Sequence, residues 1–245
     1  MSEIKIEITQ EILDNFDMSK YEDIFLKEYP DDPAYNVHGV GDYFPFWDMN
    51  RYHKYYKILA YLSTFYDNEI LVDIGTRRGH SAASLAYNEN NVVYTYNDKG
   101  DGNDDAFNPE GPENNVFEKM TNIKPFILSN YHEEDNDGRG AGDLGNILGE
   151  DEHKNILLKS SFIFMDVDPH DGRKETALFD FLVDNDYRGI TLWDDIAFQL
   201  ATWFERVKHI VNRLPHLTCC DLNDYSWSDG STGVICFGGQ EVILK

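Results

Sequence analysis

Cysteine is scarce in this sequence: Cys219, Cys220 and Cys236 are the only three in 245 residues. Two are adjacent and none forms a C-x-x-C pair, which excludes a disulfide framework and the usual cysteine metal sites. Long apolar runs are missing too, since none approaches the roughly 18–20 residues of a membrane-spanning helix. The opening MSEIKIEITQ lacks a basic stretch followed by an apolar one, so no secretory leader is expected. Basic residues are few. Lys and Arg total 21 against 45 Asp and Glu, a formal net charge of -24. A chain so acidic repels phosphate backbones and anionic bilayers, so neither nucleic acid nor a membrane is expected as a partner. G-x-G-x-x-G and the Gly-Lys-Ser/Thr phosphate loop are both absent. No internal repeat shows at periods of about 20–50 residues. These absences leave a soluble protein of a reducing compartment, the cytoplasm.

What is present supports a full core, with 41% hydrophobic and 14% aromatic residues. Residues 1–49 read as an N-terminal cap and residues 50–245 as one domain. In the cap, Ile4, Ile6 and Ile8 alternate with charged residues, the pattern of a half-exposed strand. Ser19 followed by Glu22 is a capping box that predicts a helix ending before Pro30. Residues 31–47 mix turn formers with aromatics and read as an ordered loop. A helix is expected over about residues 50–66, where Tyr52, Tyr55, Tyr56, Leu59 and Leu62 recur at helical spacing.

Strands and helices then alternate. Apolar runs predict strands at 70–74, 92–96, 126–128, 162–165 and 189–193, with helices near 80–88, 172–185 and 197–213. Residues 217–222 and 233–237 form two further strands with only a loop between them, which suits an antiparallel hairpin. The fold class expected is α/β: a Rossmann-like, doubly wound, mostly parallel seven-stranded sheet with an antiparallel C-terminal hairpin. Residues 99–122 and 131–146 are acidic and rich in Gly and Asn, and they read as long loops above the sheet.

In such sheets ligands bind beyond the carboxyl ends of the strands. Three strand ends carry informative residues. The first reads Val72-Asp73-Ile74-Gly75-Thr76-Arg77-Arg78-Gly79-His80. Two glycines let backbone approach a ligand closely. Asp73 before them disfavours a pyrophosphate and suits an ammonium or the amino-acid part of a ligand; its plain alternative is a capping role. Valine at 75 or 79 is expected to block binding and leave the fold mostly intact. The second end is Asp166-Val167-Asp168-Pro169-His170-Asp171, and the third is Trp193-Asp194-Asp195. Asp166, Asp194 and Asp195 close neighbouring apolar strands. Clustered carboxylates repel unless a cation joins them, and hard oxygen ligands suit Mg²⁺ or Ca²⁺. His170 stands close enough to serve as a general base, with Asp168 as a second candidate. The plain reading of each acid is a cap for the helix that follows.

The D-x-G-x-x-x-G turn after the first strand, together with the terminal hairpin, resembles class I S-adenosylmethionine-dependent methyltransferases over residues 50–245. The acid-rich fourth strand end and the Asp-Asp pair are similar to the small-molecule O-methyltransferases of that family. The resemblance implies S-adenosylmethionine as cofactor, with Asp73, Gly75, Thr76 and Gly79 facing its methionine part. Asp98 or its neighbour Asn97 would bind the ribose hydroxyls, and Ser129 and Asn130 would lie near the adenine. Asp166, Asp194 and Asp195 become the ligands of Mg²⁺ or another divalent cation, and the acceptor is a small molecule. The chain departs from the pattern in two ways: Pro169 displaces the histidine of an I-D-G-D-H-like stretch, and no lysine follows Asp166 closely, which argues against a simple catechol enzyme. Two other readings stay open. One is a binding protein that keeps the fold without catalysis. The other is a metal-dependent hydrolase, which leaves the glycine turn without a ligand.

The remaining candidates have mostly structural readings. The run Tyr43-Phe44-Pro45-Phe46-Trp47 and the cluster Arg51-Tyr52-His53 could close over a cofactor, although packing between cap and sheet accounts for most of them. His209 and His216 show no metal-ligand spacing.

Overall fold

The computed structural model describes residues 4–21, 55–75, 79–98, 120–128, 142–167, 170–197, 200–222 and 232–245. The chain starts with strand β1 (Lys5–Ile8), helix α1 (Gln10–Asn15) and a 3-10 turn at Ser19–Tyr21. Thr9 begins α1 by accepting the Ile12 N–H at 3.1 Å, an ordinary N-cap. The remainder of the helix expected after Ser19, the loop at 31–47 and the aromatic runs around 43–47 and 51–53 lie outside the described residues.

From Tyr55 the alternation is regular: α2 (Tyr55–Ser63), β2 (Ile70–Ile74), α3 (His80–Leu85), β3 (Val92–Asp98) and β4 (Ile123–Leu128). Next come α4 (Gly142–Gly149), α5 (Asp151–Lys159), β5 (Phe162–Met165), α6 (Arg173–Asp184), β6 (Ile190–Trp193) and α7 (Ala201–Val211). Strands β7 (Leu217–Asp221), β8 (Gly233–Phe237) and β9 (Glu241–Leu244) end the chain. The main sheet has seven strands in the order β4-β3-β2-β5-β6-β8-β7. Its first five are parallel, and β8 runs antiparallel to both β6 and β7. The doubly wound sheet with a reversed hairpin is therefore as the sequence predicts.

Chain direction across the sheet reverses between β2 and β5. That pair is the topological switch point, where the connections leave toward opposite edges and open a crevice at the carboxyl ends. Successive strand residues serve the two faces in turn. Leu71, Phe162, Phe164, Ile190 and Leu192 pack with Ile58, Leu59 and Leu62 of α2 and with α3. Val72, Ile74, Ile163, Met165 and Trp193 pack on the other face with Leu144, Ile147, Leu157, Leu178, Leu182, Trp203 and Val207. Both faces are covered, which is why these strands read as continuous apolar runs.

Three features differ from the sequence expectation. Helix α4 begins at Gly142, inside the stretch read as a loop to 146, and continues into α5, for which no helix was expected. Strand β4 begins at Ile123 and includes Pro125, which an edge strand tolerates because its outer N–H groups need no partner. Strand β9 pairs in parallel with β1, Ile6 opposite Val242, so the first residues are tied to the last. Among the described residues no helix is long and apolar enough to cross a membrane.

Candidate functional site at the carboxyl edge of the sheet

The strand ends at the switch point stay paired one residue beyond the strands themselves. Gly75 N–H donates to the Tyr96 carbonyl at 3.0 Å, Asp166 N–H to Ile74 at 2.9 Å, and Asp194 N–H to Met165 at 3.1 Å. Gly75, Asp166 and Asp194 therefore stand level along one edge. Gly75 has φ +101°, and a Cβ built on it would overlap the Asp166 carbonyl oxygen. The turn after β2 is thus pressed directly onto the end of β5, and only glycine fits there. This corrects the expectation that valine at 75 would spare the fold: the side chain collides with backbone before it meets any ligand. Gly79 caps α3 in the left-handed conformation, φ 79°.

Asp73 is fully buried one residue before the end of β2. Its Oδ2 accepts from Thr95 Oγ1 at 2.6 Å across the strand pair, where the two residues are in register. Tyr55 and Tyr56 lie over this part of the sheet at the start of α2. Their rings are 4.4 Å apart; Tyr55 stacks on Phe164 at 5.5 Å, and Tyr56 meets His80 edge-on at 5.6 Å. Burial raises both hydroxyls' pKa, and the charges of Asp166 and Asp194 raise them further. The tyrosines therefore remain protonated beside the acids.

Asp166 and Asp195 are each about one-third exposed, with side chains at 33% and 34%, and both approach His170. His170 Nε2 lies 3.1 Å from Asp195 Oδ2 and 3.7 Å from Asp166 Oδ1. Asp195 reaches this position with φ 56°, an unusual backbone for a residue other than glycine. Asp194 is buried, and Thr232 Oγ1 donates to its Oδ1 at 3.4 Å. On the other side of the imidazole, Nδ1 is 4.0 Å from Oε1 of Glu175, in the first turn of α6. Burial pushes the Glu175 carboxyl up to about 7, against a partial pull from the N–H groups of Glu175 and Gly172.

Among the described residues no group of three His, Cys, Asp or Glu side chains gathers as metal ligands. Asp166 and Asp195 do both approach the same imidazole, and each is about one-third exposed, so their hard oxygen donors are open to water. Mg²⁺ binds through one or two carboxylates and keeps its waters, so the pair fits such an ion.

Of the residues singled out in the sequence, Asp73, Gly75, Gly79, Asp166, His170, Asp194 and Asp195 are described, and all lie at this edge. Asn97 and Asp98 close β3 at the same edge, opposite Ile127 and Leu128. Thr76, Asp168, Ser129 and Asn130 lie outside the described residues. Sequence reasoning missed Tyr55 and Tyr56 as site residues, because their spacing matched an apolar helix face. It also missed Glu175, because an acid in the first turn of a helix reads as an ordinary complement to the helix dipole.

No family model and no curated protein matches this sequence. Solved structures do match in fold. One is an O-methyltransferase from Bacillus cereus in complex with SAH: 16% identical, TM-score 0.52, covering 91% of this chain and 97% of that one. Another is the O-methyltransferase TomG from Streptomyces achromogenes, involved in tomaymycin synthesis and solved with SAM. It is 12% identical, with a TM-score of 0.53, and the match covers 84% of this chain and 87% of that one. At such identities the likeness shows the fold alone, a Rossmann-like sheet.

Proposed function

We propose that this chain, built on the class I methyltransferase fold, is an S-adenosylmethionine-dependent methyltransferase acting on an oxygen of a small-molecule acceptor. The observation that carries the reading is the joining of two features at one switch point. A glycine turn backed by Asp73 abuts a carboxylate–imidazole cluster, so a cofactor site and a proton-accepting site share one crevice. The cofactors bound to the Bacillus cereus protein and to TomG support the same reading. The turn Gly75-Thr76 to Gly79 would face the methionine part, with Asp73 behind it. Asn97 or Asp98 would hold the ribose, and Ser129 and Asn130 the adenine.

When bound, S-adenosylmethionine would supply its methyl group in line to the acceptor oxygen, with the bonding electrons staying on sulfur and S-adenosylhomocysteine leaving. The hydroxyl proton would pass to the Asp195–His170 pair, whose Oδ2 and Nε2 lie 3.1 Å apart. Asp168 is the second catalytic candidate. Asp166 and Asp195, with Asp194 beside them, would hold Mg²⁺ or another divalent ion. When bound, such an ion lowers the pKa of a coordinated hydroxyl. Much of the rate comes from holding the methyl donor and acceptor in line. The free thiols of Cys219, Cys220 and Cys236 accord with a cytoplasmic enzyme.

The test is calorimetric titration with S-adenosylmethionine and S-adenosylhomocysteine, with and without Mg²⁺. Transfer of labelled methyl to a panel of hydroxylated small molecules follows. One-to-one binding of both ligands, with transfer lost in Asp195→Asn, is the expected result. Failure of both ligands to bind overturns the reading. Metal-dependent hydrolysis without cofactor binding would favour the hydrolase alternative, and full transfer in chelator would remove the metal from the scheme.

A further inference from the structure

Glu175 is the least explained charged side chain of the described residues. It is 1% exposed, and neither carboxyl oxygen makes a hydrogen bond of ordinary geometry among those residues. A first-turn acid gains from the helix dipole while it stays at the surface. Buried, the same carboxyl loses its hydration, and an apolar residue of similar size would serve packing better. A polar partner is therefore the natural reason for an acid here. Asp171 and Lys174 act on its charge, and the side chain it approaches toward the crevice is the imidazole of His170, with Nδ1 4.0 Å from Oε1. That is an electrostatic contact longer than a hydrogen bond. The opposite nitrogen of the same ring faces Asp195 and Asp166.

We infer that Glu175 is a positioning residue: it holds His170 from behind at Nδ1, so that Nε2 faces Asp195 in the crevice. The ring cannot rotate without separating both contacts. This inference rests on the reading of Asp195 and His170 as the proton-accepting pair, and it adds the residue that orients them.

Two variants test it, Glu175→Gln and Glu175→Leu, each read in two ways. The first readout is nitrogen-15 histidine NMR of the full chain, which reports the protonation pattern of the His170 ring and needs no acceptor. The second is methyl transfer, with kcat separated from the affinity for S-adenosylhomocysteine. In Glu175→Leu the His170 nitrogen signals should move, kcat should fall on the order of tenfold or more, and S-adenosylhomocysteine should bind as before. Glu175→Gln should move the signals less. If Glu175→Leu does not fold, Glu175→Gln decides alone. Unmoved His170 signals in the folded variants overturn the inference even if the protein transfers methyl groups. Moved signals in a protein that transfers no methyl group would uphold the Glu175–His170 contact and overturn the reading of the site instead.

Discussion

Glu175 also has a thermodynamic consequence that is independent of catalysis. Burial holds its carboxyl at about 7 rather than the ordinary 4.5, with Asp171 raising it further and Lys174 opposing. The folded state thus binds this proton more tightly than the unfolded chain does. The resulting stability is fully present below the unfolded value and is lost as pH rises through about 7. Over the whole window it amounts to roughly 3 kcal/mol at most. Glu175→Gln carries no proton to lose. Urea unfolding should show the variant gaining on the native protein by about 2 kcal/mol between pH 5 and pH 8.5. A difference that stays constant over that range would mean the carboxyl is hydrated in the fold. Asp73 differs in kind. It is equally buried, but its 2.6 Å bond from Thr95 is set by strand register, so its place is structural whatever ligand lies above it.

At the scale of elements, the parallel strands were legible because both faces of the sheet are covered. A strand buried on both sides must be apolar throughout, and runs such as Phe162-Ile163-Phe164-Met165 have few other uses in a chain this polar. The acids that end them stood out for the same reason. Helix α4 was illegible because Gly142, Gly145 and Asn146 are poor helix formers. Its stability comes instead from Leu144 and Ile147, buried on the sheet with Leu157 of α5. Pairing of β1 with β9 was illegible because nothing local links residues over two hundred positions apart. That pairing carries weight. Ile6 and Ile8 are fully buried in the core that also contains α2 and α3, against Val242 and Leu244. Ile6→Ala should therefore cost about 2–4 kcal/mol in chemical unfolding. A cost below about 1 kcal/mol would show that the first strand is a loosely attached cap.

For the whole molecule, the net charge of -24 and the chemistry of the crevice are separate matters. Acid is concentrated in residues 99–122 and 131–146, whereas the crevice joins glycine backbone, two tyrosines, an imidazole and a small set of carboxylates. A ligand that bridges the ends of β2, β3 and β5 touches both halves of the sheet across the switch point, so its binding adds to global stability. By mass action, S-adenosylhomocysteine at a hundred times its dissociation constant should stabilise the fold by about 2.7 kcal/mol. For a chain of this size that is a rise of roughly 5–11 °C in melting temperature. The rise should grow with the logarithm of ligand concentration. Mg²⁺ alone should give a smaller rise, which Asp166→Asn and Asp195→Asn reduce without affecting the rise from S-adenosylhomocysteine. Differential scanning calorimetry of the native chain and the two variants separates the contributions. If either variant abolishes the rise from S-adenosylhomocysteine, the carboxylate pair belongs to the cofactor's own site. The division of the crevice into a cofactor half and an acceptor half would then be wrong.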